Sequence, residues 1–270
     1  FCKGLNVGIK YSKAKYVVLV NNDAFVTVNW LKELVVIAEE NPRVGIVGSK
    51  ILFENGMLQS TGHVRTKNFE WVDRDFKKND KSVNFTSEEV EGVCGASMLI
   101  NKNCFKEIGV FDEDFFMYCE DVDLCIRCKQ RGWKIMYAPL SMVFHKFRGT
   151  STLKMVRYYS QRNRLILLAK HYPKEFFNFL FKSDFFWKQP QEQLVIDLPL
   201  ILSKLKQKIH DSNLIILNLL ELRLAATNKI KERESIILDL KKDIRDIKKA
   251  VAWERLVSIK KFAKKIIGLK

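Results

Sequence analysis

Residues 16–23 read Tyr-Val-Val-Leu-Val-Asn-Asn-Asp: five strand-forming residues followed at once by three short polar ones. The apolar run shows no alternation, which predicts a strand covered on both faces, as in a parallel sheet between helices. In open α/β sheets, ligands bind beyond the carboxyl ends of the strands. Asn21, Asn22 and Asp23 would lie there, where a carboxylate can hold a divalent cation and the cation a diphosphate. The simpler alternative is that these residues only begin a turn.

Strands and helices alternate along the chain after this stretch, which is the βαβ pattern of an α/β fold. The sequence predicts helices over residues 2–13, 29–40, 105–109, 120–132 and 158–171, and strands over residues 44–48, 93–100, 133–139 and 143–145. Asn29 is expected to cap the second helix. Residues 54–90 are polar and irregular, which predicts a flexible insertion.

The segment 111–123 carries six carboxylates interleaved with aromatic residues. Acidic residues in the first turn of a helix ordinarily favour the helix dipole, and aromatic neighbours ordinarily belong to the core. The functional alternative is an acidic side chain in an aromatic-lined mouth, where a raised proton affinity suits a general base. Glu120 and Asp121, at the start of the predicted helix, are the candidates for this base.

His145 ends the last predicted strand and is followed by a run of basic, glycine and hydroxyl residues through residue 151. A single histidine is most often a structural or surface residue. Here the run that follows, which includes Arg148, is typical of a flexible loop that closes over phosphate.

The six cysteines include Cys125 and Cys128, whose spacing would suit half of a zinc site. No second pair of this kind follows, so their place in a predicted helix favours small buried thiols. Reduced thiols and the lack of a visible signal peptide predict a cytoplasmic protein. The sequence contains no uncharged apolar run of about 18 residues, so no membrane-spanning helix is expected.

The order of these motifs resembles family 2 glycosyltransferases of the GT-A fold, most closely the rhamnosyltransferase-like branch. The resemblance rests on Asn-Asn-Asp after the strand, on Gly-Ala-Ser-Met-Leu-Ile at 95–100, on the acidic and aromatic segment, on Arg-Gly-Trp at 131–133 and on His-x-x-x-Gly-x-Ser at 145–151. It spans residues 1–172 and implies a GT-A-like mixed sheet with flanking helices, followed by a basic helical region over 173–270. Such enzymes ordinarily begin with a strand, helix and strand that hold the nucleotide base. Residue 1 is Phe, and the resemblance implies that the N-terminal nucleotide-binding segment is missing from this chain.

The resemblance implies inverting transfer of a sugar from a nucleotide diphosphate sugar to a glycan or lipid-linked acceptor in polysaccharide synthesis. It assigns Mg²⁺ or Mn²⁺ to Asp23, because the first acidic position of the family motif is Asn here, with His145 as a further metal contact. The remaining roles are general base for Asp121 beside Glu120, donor diphosphate binding for Asn21, Asn22 and Arg148, and the acceptor side for Asp112, Tyr118 and Asp123.

The charge is concentrated in the C-terminal part of the chain. Residues 1–150 carry a net charge of +2 and residues 151–270 a net charge of +14. Residues 254–270 combine an apolar helical stripe with paired lysines. This pattern favours a helix that lies on an anionic membrane surface, such as the inner face of the plasma membrane. A final helix packed on the protein is the alternative.

Two further patterns lie in the same region. Aromatic residues cluster over 176–187, either at a lipid interface or packed on the catalytic domain, and 214–226 predicts a packed helix. Residues 230–251 keep coiled-coil spacing, which predicts pairing within the chain or in a homodimer. A basic module that binds nucleic acid or an anionic membrane is the alternative function. No recognisable nucleic-acid reader motif is present, so nucleic acid is not expected as a partner.

Overall fold

The computed structural model describes residues 1–82, 86–146, 152–182 and 191–207. It divides the chain into two compact units, Phe1–Ser160 and Gln161–Lys270. The predictions for Arg148 and for residues 214–226, 230–251 and 254–270 lie outside the described residues. The domain boundary at residue 172 stays a prediction.

A mixed sheet forms the centre of the first unit. The strands of this sheet are β1 (Tyr16–Val20), β2 (Ala24–Val26), β3 (Val44–Leu52), β4 (Leu58–Ser60), β7 (Glu88–Glu89), β8 (Ser97–Asn101) and β9 (Lys134–His145). Two further strands, β5 (His63–Arg65) and β6 (Trp71–Asp73), form a separate hairpin. The strand order is β1-β8-β3-β9-β2, with β4 beside β3 and β7 beside β9. Because β8 is antiparallel to both β1 and β3, and β9 is parallel to β3, the carboxyl ends of β1, β3 and β9 share one edge.

The described helices flank the sheet or lie in the second unit. They are α1 (Cys2–Tyr11), α2 (Trp30–Glu40), α3 (Lys102–Ile108), α4 (Glu120–Gln130), α5 (Leu153–His171), α6 (Pro173–Lys182) and α7 (Gln191–Lys206). α2 packs its apolar face, with Leu34 and Ile37, on Val47 of the sheet. All nine residues of β3 are buried, as expected for a central strand covered on both faces.

A buried hydroxyl network fixes the start of α2 on the sheet. The indole Nε1 of Trp30 donates to Ser97 Oγ at 2.8 Å and to Ser49 Oγ at 3.1 Å. Ser141 Oγ in turn donates to the main-chain oxygen of Trp30 at 3.0 Å. These bonds join α2 to β3, β8 and β9, so they hold in place the segment that follows residues 21–23.

The expectation for β1 was wrong in one respect. Its described partner is the antiparallel β8, and Val17 alone of its five residues is fully buried. The continuous apolar run correctly predicted a strand, but it could not indicate which strands would pair with it. In the described residues β1 therefore stands at one end of the strand order, and β3 takes the fully buried central position that the run had suggested.

Residues 54–90 do not form the predicted flexible insertion where they are described. They supply β4, β5, β6 and β7, and they cover a buried charge of β3. Lys50 is 1% exposed, and its Nζ lies 2.7 Å from Asp80 Oδ1. A buried ammonium requires a close counter-charge, which gives this polar segment a defined position. Arg74 adds bonds from Nε to Thr61 Oγ1 and from Nη2 to Thr61 O, both 2.8 Å.

Several predicted boundaries shift. β8 begins at Ser97 instead of residue 93, β9 runs on through residues 143–145 as one strand, and α5 begins at Leu153 instead of residue 158. Asn29 occupies the N-cap position of α2 without a side-chain cap bond. Asn101 does cap α3, because its side chain accepts a hydrogen bond from the amide of Asn103.

The second unit has its own polar and aromatic contacts. Arg162 Nε lies 2.9 Å from Asp197 Oδ1, and both side chains are largely buried. Phe176 is fully buried, and the Arg164 guanidinium lies 3.9 Å from the ring centroid of Phe179. For these two aromatic residues the contacts favour packing over a lipid interface. Among the described helices, none combines the length and apolar character needed to cross a bilayer.

Gly48 tests the tight packing around β3. A Cβ at this position would lie 2.4 Å from Val93 Cβ, so Gly48→Ala forces the chain apart. We expect the free energy of unfolding to fall by about 1–3 kcal/mol, measured by urea denaturation. Gly8→Ala is the control, since no atom lies within 4 Å of its added Cβ in α1 and the helix should gain about 0.5–1 kcal/mol. Equal stability of Gly48→Ala and the wild type would contradict the packing.

Candidate active site

The carboxyl ends of β1 and β9 bring Asp23 and His145 together. His145 is the register partner of Ala24, and the amide of Lys146 donates to the main-chain oxygen of Asp23 at 3.0 Å. In consequence, Asp23 Oδ1 lies 3.2 Å from His145 Nε2. Two side chains that are 122 residues apart in the sequence thus meet because β2 turns back onto the end of β9.

Gln59 of β4 fixes the orientation of the His145 ring. Gln59 is 2% exposed, and its Oε1 lies 2.9 Å from His145 Nδ1. An oxygen facing Nδ1 favours the tautomer that carries the proton on Nδ1, and in that tautomer the Nε2 lone pair is directed toward Asp23. Asn21 Nδ2 lies 3.4 Å from the same Nε2. A lone pair and a carboxylate oxygen 3.2 Å apart need a positive charge between them, either a proton or a cation.

This donor set fits a divalent cation. Carboxylate and imidazole are both ligands for Mn²⁺, whereas Mg²⁺ prefers oxygen donors and retains several waters. The Gln59 bond to the second ring nitrogen is the outer contact that metal-bound histidines ordinarily have. Asp23 and His145 would hold the cation, and Asn21 lies beside them. Asn22 is exposed in the turn between β1 and β2.

Asp121 lies at the first turn of α4, where the segment before β8 holds its carboxylate. The amide of Gly95 donates to Asp121 Oδ2 at 2.8 Å, and the amide of Val122 donates to Oδ1 at 2.8 Å. The next residue, Ala96, accepts a hydrogen bond from the amide of Asn21 at 3.0 Å. Two hydrogen bonds, one from Gly95 to Asp121 and one from Asn21 to Ala96, therefore link the Asp121 carboxylate to the end of β1. This end lies on the same edge of the sheet as Asp23.

The neighbouring Glu120 has a different environment. It is 7% exposed, and within the described residues its Oε2 has no hydrogen-bond partner. Burial and the adjacent charge of Asp121 raise the pKa of Glu120 from its ordinary value of 4.5 to about 8. Glu120 is thus mostly protonated at neutral pH, and the more exposed Asp121 is the better base of the two.

The loop before α4 is held in a strained backbone conformation. Phe116, Tyr118 and Cys119 all have positive φ, at 61°, 69° and 66°. Bulky residues rarely adopt this region, and such strain persists where the surroundings enforce it. The amide of Cys2 donates to Phe116 O at 3.1 Å, and the Phe116 ring lies 5.1 Å from that of Tyr159. Tyr118, in this loop, precedes Asp121 by three residues in the sequence.

A family match decides what this arrangement belongs to. The model of the family described as "Glycosyltransferase like family 2" matches residues 1–166, which is more than half of the chain. The chain belongs to glycosyltransferase family 2. The predicted resemblance is therefore confirmed.

Two curated relatives of this family 2 chain are rhamnosyltransferases. It is 43% identical over 51 residues to N-acetylglucosaminyl-diphospho-decaprenol L-rhamnosyltransferase of Mycobacterium tuberculosis, a match covering 19% of this chain and 17% of that protein. It is 34% identical over 61 residues to rhamnosyltransferase WbbL of Escherichia coli, covering 23% of each. The chain thus matches less than a quarter of the length of either relative.

A solved structure bears on the fold. The crystal structure of GalNAc-T7 with UDP, GalNAc and Mn²⁺ superposes with a TM-score of 0.52 and 13% identity, covering 72% of this chain and 40% of that one. A likeness at this identity concerns the fold alone. It agrees with the mixed sheet and flanking helices, and the GT-A-like α/β prediction is confirmed.

Other predicted site residues of this glycosyltransferase chain have different surroundings. Asp123 is fully buried and its Oδ2 accepts from Arg127 Nε at 2.8 Å, and its acceptor-side role stays a prediction. Arg127 also donates to main-chain oxygens at the end of α3, so this ion pair joins two helices. Asp112 accepts from the amide of Asp114 and caps a short turn at Glu113–Phe115. Its half-buried position leaves the acceptor-side role a prediction.

Sequence reasoning missed Gln59 and a second polar cluster of His63, Asp73 and Cys94. Burial opposes a charge on His63, but its contacts with Asp73 and Cys94 and the charge of Asp121 outweigh burial and raise the pKa of His63 well above 6.5. Gln59 and His63 were hidden in the segment interpreted as an insertion. The available signals were the glycines at 56 and 62, which mark turns beside the short strands.

Glu120→Gln should change how stability depends on pH. A carboxyl group with a raised pKa in the folded protein stabilises it fully below its unfolded value near 4.5 and loses that contribution as pH rises to about 8. The wild type should therefore lose stability relative to Glu120→Gln by up to about 1.4 kcal/mol per pH unit within this window. Urea denaturation between pH 5 and pH 8.5 measures the difference. Glu113→Gln, an exposed carboxylate nearby, controls for loss of charge, and parallel curves for wild type and Glu120→Gln would contradict the assignment.

Proposed function

We propose that this chain carries the catalytic centre of an inverting glycosyltransferase that takes its sugar from a nucleotide diphosphate donor with Mn²⁺ or Mg²⁺. One observation carries the proposal: the Asp23–His145 pair and the Asp121 carboxylate lie at one edge of the sheet. A metal-binding pair and a separate base are the two protein groups that a single displacement at the anomeric carbon requires.

Asp23 and His145 serve the donor. Both side chains face a position that suits a cation, and Gln59 holds the imidazole with its lone pair toward that position. The cation, when bound, neutralises the charge that develops on the departing diphosphate. Asn21, Asn22 and Arg148 are proposed to contact the same diphosphate.

Asp121 serves the acceptor. The acceptor hydroxyl attacks the anomeric carbon on the face opposite the diphosphate, so a new C–O bond forms while the bond to phosphate oxygen breaks. The hydroxyl proton passes to a carboxylate oxygen of Asp121, and the configuration inverts. Each of its oxygens accepts one main-chain hydrogen bond and retains a free lone pair for this proton. Burial raises the pKa of Glu120 to about 8, which favours Asp121 as the member of the pair that takes this proton.

We extend the proposal to the substrates. Relatives named rhamnosyltransferases favour a rhamnosyl donor, and one of them is named for a diphospho-decaprenol acceptor. A lipid-linked acceptor agrees with the net charge of +14 over residues 151–270, since such a surface suits an anionic cytoplasmic leaflet. The proposed place in metabolism is polysaccharide synthesis. Homodimer formation through residues 230–251 stays a prediction.

Asp121→Asn tests the base. The variant keeps the shape and one of the two main-chain hydrogen bonds, because its amide nitrogen cannot accept one. It removes the basicity, so turnover in the full-length protein should fall by about 100-fold or more. Donor binding, measured by calorimetry, should be retained. Asp114→Asn provides the same chemical change seven residues earlier and should keep wild-type turnover. Unchanged turnover in Asp121→Asn would exclude Asp121 as the base.

A further inference from the structure

His63, Asp73 and Cys94 form a second cluster of metal-binding side chains that the proposed sugar transfer does not use. Each offers one ligand atom, and these three atoms lie within 4.8 Å of one another. His63 is 8% exposed and the other two are half-buried. The cluster thus differs from a chance group of surface acids, because it combines nitrogen, oxygen and sulfur donors in a largely buried position.

Main-chain pairing brings the three residues together. His63 and Asp73 are register partners across the antiparallel β5–β6 hairpin. The amide of His63 donates to the main-chain oxygen of Gly92 at 2.7 Å, which places the segment containing Cys94 on the other side of the histidine. Since the backbone fixes all three positions, a cation would not need to reorganise the loop that it binds.

The distance between the His63 and Asp73 ligand atoms matches that between two ligands of a tetrahedral ion. His63 Nε2 lies 3.4 Å from Asp73 Oδ1. In a tetrahedral zinc site with bonds of about 2.0–2.1 Å to nitrogen and oxygen, these two ligand atoms stand about 3.3–3.4 Å apart. This contact is an ion pair when His63 is protonated, and within the described residues His63 Nδ1 is buried without a hydrogen-bond partner. A Zn²⁺ ion would replace that proton as the positive charge beside the Asp73 carboxylate, with His63 neutral.

The two glycines on either side of Cys94 leave different amounts of space. A Cβ on Gly92 would lie 3.5 Å from His63 Cβ and 3.4 Å from Cys125 Cβ, which are ordinary van der Waals contacts. A Cβ on Gly95 would lie 3.2 Å from Asp121 Oδ2. A side chain at Gly95 would therefore press on the Asp121 carboxylate.

We propose that His63, Asp73 and Cys94 bind one Zn²⁺ ion at a site distinct from the Asp23–His145 pair. Thiolate and imidazole select zinc over Mg²⁺ and Mn²⁺, whereas the Asp23–His145 pair has no sulfur donor. Thiolate and carboxylate together balance the two positive charges of the ion. Three protein ligands leave a fourth position for water.

The site would act on Asp121 through position. Cys94 is bonded to Gly95, whose amide holds Asp121 Oδ2 at 2.8 Å. A bound ion would fix the Cys94 segment and, through Gly95, the orientation of the carboxylate. This positioning role depends on the proposed function, whereas the metal site itself does not.

Zinc content and cobalt substitution test the site in the full-length protein. The wild type, purified without chelator, should contain about one zinc per chain by mass spectrometry. After replacement by Co²⁺ it should show a thiolate-to-cobalt charge-transfer band in the near ultraviolet. Cys94→Ser and His63→Gln should lose both the zinc and the band. Cys119→Ser, which removes another half-buried cysteine, should keep both.

Two further arms keep the test independent of folding and of the sugar-transfer proposal. A zinc chelator should lower the melting temperature of the wild type but not that of Cys94→Ser, because only the folded wild type binds the ion. Asp23→Asn should retain the cobalt band. Absence of zinc and of the band from the wild type at a slight excess of metal would overturn the proposal and leave His63 and Asp73 as an ion pair. Equal zinc content in the wild type and Cys94→Ser would overturn it as well.

Discussion

The contact between Asp23 and His145 is the constraint on which the rest of the site depends. It exists because β3 and β9 run parallel in the middle of the sheet and β2 turns back to pair with the end of β9. The Trp30 network then fixes the helix that follows β2. Gln59, from a strand beside β3, sets which ring nitrogen of His145 faces the carboxylate. The fold thus sets the geometry of the Asp23–His145 pair, which we propose as the cation site.

The proposed base, Asp121, differs from its neighbour Glu120 in electrostatic environment. Glu120 and Asp121 are adjacent in sequence, but α4 directs Glu120 into the interior and leaves Asp121 half-exposed beside Gly95. Burial raises the pKa of Glu120 to about 8, so the pair carries one negative charge at neutral pH instead of two. This division assigns the proton transfer to one residue.

Much of this arrangement could be predicted from the sequence, because the strand end at Asp23, the helix start at Asp121 and the strand end at His145 are local patterns. What could not be predicted depended on pairing between distant segments. The antiparallel position of β8, the burial of Asp123 against Arg127 and the bond from Gln59 to His145 all join residues through the fold. The segment 54–90 looked irregular because its strands are only two or three residues long and its order comes from Lys50 and Asp80.

The central claim is that Asp23 and His145 together hold the cation of the donor diphosphate. Crystals of the full-length protein grown with Mn²⁺ and a nucleoside diphosphate, and measured at the manganese absorption edge, test it most directly. The account predicts an anomalous peak within coordination distance of Asp23 Oδ1 and His145 Nε2 and in contact with the diphosphate. A bound diphosphate whose manganese lies elsewhere, with Asp23 and His145 still in direct contact, would contradict it.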